Sequence, residues 1–232
     1  MILVLAGTSE GRQTAVALER EGHRVMAATA TDYGRQLLRE EFKGEISSRA
    51  LDGEELMQLI AARQIRRIVD ATHPFAEKIS VYARSACCRA GIVYERLERQ
   101  SSDIESSGGV LAADDVEEAV QLASGTAGNI FLTVGSSKLE HYTRVLDPKK
   151  LIVRILPVLT SLEKCLSLGI PPKNIIAMQG PFAEDINRLL LLRYSAALVI
   201  TKDSGPSGGT PEKINASRAL GIPVIIITRP GQ

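Results

Sequence analysis

Short runs of β-branched and aliphatic residues recur along the chain, at Ile2–Ala6, Val25–Ala28, Ile68–Ala71, Ile92–Tyr94, Ile130–Val134, Leu151–Leu156, Ile175–Met178, Leu198–Thr201 and Val224–Thr228. Continuous apolar runs of this length predict strands buried on both faces of a parallel sheet. Between them apolar residues return at helical spacing: Leu56, Leu59 and Ile60; Ile79, Ala83, Ala86, Cys87 and Ala90; Val116, Ala119, Val120 and Ala123; Ile186, Leu189 and Leu190. Strand–helix alternation along the whole chain predicts an α/β protein. The polar, Ser- and Gly-rich stretch from Arg99 to Gly109 reads as a linker or hairpin and divides the runs into two groups. The expected architecture is two Rossmann-like lobes, residues 1–98 and 99–232, with mainly parallel sheets and a cleft between them. No fixed-period repeat is visible.

Composition narrows the function classes. The chain has 232 residues, 44% hydrophobic and 24% charged, which is ordinary globular composition. Lys and Arg number 28 against 27 Asp and Glu, a net charge of +1. That balance leaves no electrostatic footprint for nucleic acid or an anionic membrane. Aromatics are 4% with no Trp, which argues against base-stacking platforms. No run reaches the length of a membrane span. Met1–Ala6 lacks a basic n-region and reads as a strand, so the expected location is the cytoplasm. Cys87, Cys88 and Cys165 show no CxxC and are read as small buried apolar residues. The three histidines show no metal-ligand spacing.

In open α/β sheets ligands bind beyond the carboxyl ends of the strands, so candidate chemistry lies in the segments that follow each run. After the first come Gly7, Thr8, Ser9, Glu10, Gly11 and Arg12, opening a helix. This G-x-x-x-G fits either a phosphate cradle at a helix N-terminus or a tight turn with a helix cap. After the second come Thr29, Thr31, Asp32 and Arg35. Hydroxyls with a guanidinium suit the 2′-phosphate of NADP better than the ribose of NAD, while Asp32 argues the other way; a solvated loop is the plain alternative. Asp70-Ala71-Thr72-His73-Pro74-Phe75-Ala76 follows another run. His73 there can bind a ligand or donate a proton, or it only caps the helix or fills an interface. His23 and His141 read as structural or surface residues. The second half offers Gly135, Ser136 and Lys138, then Gly180 and Phe182, then Lys202, Ser204 and Gly205, and finally Arg229. Lys202 reads as a carboxylate or phosphate ligand or as a solvated lysine. Pro206–Thr210 extends its loop as a glycine-rich lid or a plain connection.

Taken together, these segments resemble the precorrin-6A reductases of cobalamin biosynthesis. The resemblance is carried by residues 2–12 (Ile-Leu-Val-Leu-Ala-Gly-Thr-Ser-Glu-Gly-Arg), Asp70–Ala76, Thr133–Ser136, Gly180–Phe182, Thr201–Gly205 and Ala219–Pro230. It runs nearly end to end. It implies NADPH-dependent reduction of a double bond in a corrin-ring precursor, with cofactor and macrocycle between two Rossmann-like lobes. It implies that the Gly7–Arg12 loop holds the NADPH phosphates, and that the His73 turn and the Lys202–Gly205 loop face the substrate. Thr72, Pro74 and Phe75 join the cofactor set with Thr29, Thr31 and Arg35. Gly135, Ser136, Lys138, Gly180, Phe182, Ser204, Gly205 and Arg229 form the substrate set. His73 and Lys202 are the candidate proton donors, with solvent as a third source. The family pattern has a proline and an aromatic residue after Glu95-Arg96; here the segment reads Leu97-Glu98-Arg99-Gln100. The two-lobed pattern alone also suits a nucleotide-sugar transferase or a non-catalytic small-molecule binding module.

Overall fold

The computed structural model describes residues 1–97 and 109–229. It divides into two compact units, Met1–Glu98 and Arg99–Gln232. The first holds β1 (Ile2–Leu5), α1 (Ser9–Arg20), β2 (Val25–Ala28), α2 (Asp32–Arg39), β3 (Glu45–Ser47), α3 (Gly53–Arg63), β4 (Arg67–Asp70), α4 (Glu77–Ala90) and β5 (Val93–Arg96). The second holds β6 (Val110–Ala113), α5 (Val116–Ala123), β7 (Asn129–Leu132), α6 (Leu139–Thr143), β8 (Leu151–Ile155), α7 (Leu159–Ser167), β9 (Ile175–Ala177), α8 (Glu184–Arg193), β10 (Ala196–Lys202), α9 (Thr210–Ala219) and β11 (Val224–Ile227).

The first sheet runs β3-β2-β1-β4-β5 and the second β6-β11-β10-β7-β8-β9. All strand pairings in both are parallel. Side chains alternate between the faces of a strand, and the first unit fills both faces. Leu3, Leu5, Met26 and Ile68 pack with Leu56 and Ile60 of α3 and Ala83, Ala86 and Cys87 of α4. Val4, Ala6, Ala27 and Val69 pack with Ala15 and Val16 of α1 and Leu38 of α2. In the second unit Phe131, Ile152, Ile176 and Val199 pack against Leu191 of α8 and Ile214 of α9. In the first sheet the chain runs outward from β1 and returns to the middle at β4; in the second it opens with β6 at one edge, runs outward from β7 to β9 and returns beside β7 with β10. The strand order therefore reverses between β1 and β4, and again between β7 and β10.

Two strands lie outside the runs read as strands: β3 (Glu-Ile-Ser) and β6 (Val-Leu-Ala-Ala). β3 and β6 are edge strands with one neighbour each, and β6 exposes Leu111 and Ala112 while burying Val110 and Ala113. The linker expectation falls on residues of which only Gly109 is described; its carbonyl accepts the Val224 amide at 2.9 Å. Two readings are corrected. Cys88 is exposed, because one step along α4 turns it away from the face that buries Cys87. On α8 the inward positions are Asn187 and Leu191, while Ile186 and Leu189 are 40% and 63% exposed. A polar residue takes the inward place because it meets a buried arginine, described below. Pro206–Thr210 is a hydrogen-bonded turn: the amides of Gly208, Gly209 and Thr210 donate to the carbonyls of Gly205, Pro206 and Gly205.

Candidate functional site

In parallel sheets, the crevice where strand order reverses is where loops diverge and leave room for a ligand. The first reversal brings together the loops after β1 and β4. Thr8 caps α1 by accepting the Gly11 amide at 3.1 Å and donates its own proton to the Ala71 carbonyl at 2.8 Å. Gly11 is required where it stands: a Cβ would lie 2.9 Å from Ala6 Cα and 3.1 Å from the Ala71 carbonyl oxygen. Gly7 differs, since a Cβ there would meet nothing within 4 Å. The loop thus presents open backbone at the N-terminus of a three-turn helix, the arrangement that attracts phosphate. Ser9 lies in the first turn, its hydroxyl on Glu10 at 3.2 Å. Arg12 lines a shallow depression between α1 and α2 with Gln13, Leu37 and Glu41.

At the end of β2, Thr29 is buried and donates to the Thr31 carbonyl at 3.0 Å, and Thr31 caps α2 through the Gly34 amide at 3.0 Å. Both hydroxyls therefore shape the turn. Asp32 accepts from Ser48 at 3.0 Å and lies 3.6 Å from Arg35. Both contacts fall on Oδ1; the Asp32 side chain is 76% exposed and the Arg35 side chain half exposed.

Asp70 closes β4 and is fully buried. It accepts from the Thr72 amide at 3.1 Å, the Thr72 hydroxyl at 2.7 Å, the Tyr94 hydroxyl at 2.8 Å and Arg96 at 2.6 Å. Arg96, paired with Asp70 in register across β4 and β5, also donates to Thr72 at 2.9 Å and to Ser80 at 2.6 Å. Burial raises the Asp70 pKa, but hydrogen bonds from Ser80, Thr72 and Tyr94 and the Arg96 charge outweigh it and hold the carboxyl below its ordinary value. This network anchors the turn that carries His73, Pro74 and Phe75. His73 Nδ1 accepts the Phe75 amide at 3.3 Å, and the two rings lie 5.7 Å apart. That hydrogen bond leaves the proton of the neutral ring on Nε2.

The second reversal brings together the loops after β7 and β10. Gly135 takes φ +74°, a left-handed conformation that glycine adopts without strain. Ser136 meets Ser161 at 2.9 Å. Lys202 ends β10, and burial, then the neighbouring Lys138 charge, lower its pKa. Asp203 is buried, accepts the Gly205 amide at 3.0 Å and pairs with Arg229 at 3.2 Å. The Ser204 amide donates to Thr210 Oγ1 at 3.0 Å. Arg229 thus acts on the loop through Asp203. Gly180 and Phe182 flank the cis-proline Pro181 after β9. They reach the same end of the sheet, since a Cβ on Gly209 would lie 3.3 Å from Pro181 Cβ.

Sequence reasoning placed Asp70 and Asp203 in candidate loops without giving either a role, and gave none to Tyr94 and Arg96 in the first unit or to Arg154, Asn187 and Lys213 in the second. The available signal was a charged residue inside or ending an otherwise apolar run, as in Leu151-Ile-Val-Arg-Ile155. Among the described residues no group of three His, Cys, Asp or Glu side chains comes together as a metal site would need. No helix among them is long and apolar enough to cross a membrane.

Comparison with known proteins gives one answer. The family model described as Precorrin-6x reductase CbiJ/CobK matches residues 1–232. A cobalt-precorrin-6A reductase of Methanothermobacter thermautotrophicus is 39% identical over 99% of this chain and 76% of its own length. One from Priestia megaterium is 39% identical over 99% and 91%. A precorrin-6A reductase of Rhodococcus erythropolis is 32% identical over 99% and 89%. The solved structure of CobK precorrin-6A reductase superposes with a TM-score of 0.81 at 23% identity, covering 99% of this chain and 88% of that one. That likeness establishes the fold.

Proposed function

The chain belongs to the Precorrin-6x reductase CbiJ/CobK family, and from that premise we propose that it reduces a precorrin-6A-type macrocycle in cobalamin biosynthesis with NADPH as hydride donor. It is an oxidoreductase acting on a tetrapyrrole. The observation that carries the cofactor reading is the β1/β4 reversal, where the N-terminus of α1 meets the unobstructed backbone of Gly7. Gly7, Ser9, Gly11 and Arg12 would hold the phosphates there, with Thr8 fixing the helix start. Thr29, Thr31 and Arg35 would receive the 2′-phosphate. Thr72, Pro74 and Phe75 would line the nicotinamide side.

NADPH, when bound, supplies the hydride. The residues of the chain bind, orient and protonate. His73 is the first candidate proton donor, through Nε2, and Lys202 the second, its burial beside Lys138 favouring release of a proton. Gly135, Ser136, Lys138, Gly180, Phe182, Ser204, Gly205 and Arg229 would shape or contact the macrocycle. The many carboxylates of such a ring call for several cations and backbone amides. The cytoplasm is where this reading places the enzyme.

Titration with NADPH and NADH, read by cofactor fluorescence, tests the cofactor. Binding of NADPH at least about tenfold tighter than NADH is expected, since a charge-assisted contact to the 2′-phosphate contributes roughly 1.5–3 kcal/mol. Equal binding of both would sink the 2′-phosphate assignment, and binding of neither the reductase reading of the Gly7 loop. His73→Ala should lower kcat on the order of 100-fold if Nε2 is the donor. Full turnover would remove it from that role.

A further inference from the structure

Two cations are buried in the second unit beside loops already named. Arg154 projects from β8 on the face that carries Ile152 and is 8% exposed. Its guanidinium donates to Asn187 Oδ1 at 2.8 Å and lies 4.5 Å from the Phe182 ring centroid. Asn187 in turn donates to the carbonyls of Phe182 and Ala183, at 3.1 and 3.0 Å. Lys213, on the first turns of α9, is also 8% exposed and donates to the Gly208 carbonyl at 3.0 Å. Each cation therefore sits beneath one loop, Gly180–Phe182 or Gly205–Gly209, and these loops meet at Pro181 and Gly209.

Buried charges are ordinarily paired, because desolvating an ion costs several kcal/mol that a neutral partner does not return. Among the described residues neither Arg154 nor Lys213 has a salt bridge; their partners are an amide, an aromatic face and a carbonyl. The carboxylates that act on Lys213 are Asp203 and Glu212. Asp203 is committed to Arg229. Glu212 makes no salt bridge to either cation, and its Oε2 is buried without a hydrogen-bond partner beside Gly209. The group of Arg154, Lys213, Arg229, Asp203 and Glu212 thus holds one positive charge in excess. The cations also feel each other: burial first, then the Arg154 charge, brings Lys213 down to about 8. Packing alone explains none of this, since an apolar or amide side chain would support the same loops at lower desolvation cost.

We propose that Arg154 and Lys213 form an anion subsite under the Phe182 and Gly208 loops that takes a carboxylate of the tetrapyrrole substrate. The inference rests on the reductase reading. A substrate carboxylate supplies the missing negative charge, and the planar guanidinium can hold it by two parallel hydrogen bonds. The Phe182 ring and the glycine-rich turn are the elements that must yield for it to enter. Arg154 and Lys213 are then specificity determinants for the ring's acidic side chains.

The experiment is steady-state NADPH-dependent reduction of precorrin-6A by wild type, Arg154→Met and Lys213→Met, beside equilibrium binding of uroporphyrin as a stable polycarboxylate tetrapyrrole. The expected result is a KM for the tetrapyrrole raised at least about tenfold in each variant, in line with loss of a charged hydrogen bond. The NADPH KM should stay within twofold, and uroporphyrin affinity should fall in parallel. Arg154→Lys should restore part of the loss. An unchanged tetrapyrrole KM and unchanged uroporphyrin binding in folded variants would overturn the subsite. If a methionine variant does not fold, Arg154→Lys and Lys213→Arg are judged by the same two readouts. Wild type that binds uroporphyrin but reduces no precorrin would count against the reductase reading, and the binding comparison would still decide the subsite.

Discussion

At the β1/β4 end of the first unit, buried charge is balanced. Asp70 is fully buried and meets Arg96 at 2.6 Å, and three further donors complete its shell. At the end of β8 and β10 in the second unit, Arg154 and Lys213 are buried against neutral groups. Both units are parallel sheets with a strand-order reversal, so topology does not account for the difference. A closed network fixes the shape of a loop and asks nothing of a ligand. An open one stores an electrostatic cost that a ligand of opposite charge can relieve. On the proposed anion subsite, the first unit holds the His73 turn fixed and the second accepts acidic groups.

The largest test of that contrast is Asp70→Ala. It leaves the Arg96 guanidinium without its carboxylate and removes the anchor of Thr72, so a loss of about 3–5 kcal/mol in urea unfolding is expected. Arg154→Met should cost much less, because it removes a charge that has no counter-ion. A loss at Arg154 equal to that at Asp70 would erase the distinction.

Stability should rise with pH through both groups, but in separate windows: acidic for Asp70 and alkaline for Lys213. The Asp70 carboxyl lies below its ordinary value when folded, so its contribution is present above the unfolded carboxyl pKa and fades as acid protonates the folded group. Lys213 falls from 10.5 to about 8 when folded. Between those values the unfolded chain binds the extra proton, so stability rises with pH across that window. The gain is on the order of 3 kcal/mol when the window is crossed. Chemical unfolding from pH 7 to 10.5 measures it, and Lys213→Met should flatten the slope.

Two glycines sharpen the picture of the first unit. Gly11→Ala pushes a methyl against Ala6 Cα and the Ala71 carbonyl and should cost roughly 1–3 kcal/mol. Gly7→Ala meets open space; it should leave stability within about 0.5 kcal/mol while weakening NADPH binding. Thr8→Ala falls between these two, at about 1 kcal/mol for the lost α1 cap, measurable as a lower urea midpoint. Equal stability of all three variants would show that the loop is not held as the contacts imply.

The candidate segments around Gly7, His73, Gly135 and Lys202 stand out along the chain because apolar runs end there and glycine or hydroxyl residues follow, and the structure places them after β1, β4, β7 and β10. What was not legible falls into two kinds. Edge strand β3 has no apolar run, and edge strand β6 is only the four-residue run Val110-Leu-Ala-Ala113 with its two middle residues exposed. Arg154 and Asn187 sit where periodicity expects apolar residues, and each makes sense only against the other. The same pairing explains why the inward face of α8 is not the one its leucines outline.

The sequence alone determined the strand–helix alternation, the α/β class, the family resemblance and which loops are the candidates for the site. These are local facts: hydrophobic period, turn residues and short motifs act over a few neighbouring positions. Strand order, the joining of the Thr8 and Ala71 loops, the closed Asp70–Arg96 network and the open Arg154–Lys213 pair were decided only in the tertiary structure. Each depends on groups distant in sequence meeting across a sheet. A charge becomes paired or unpaired only once those groups have left water together.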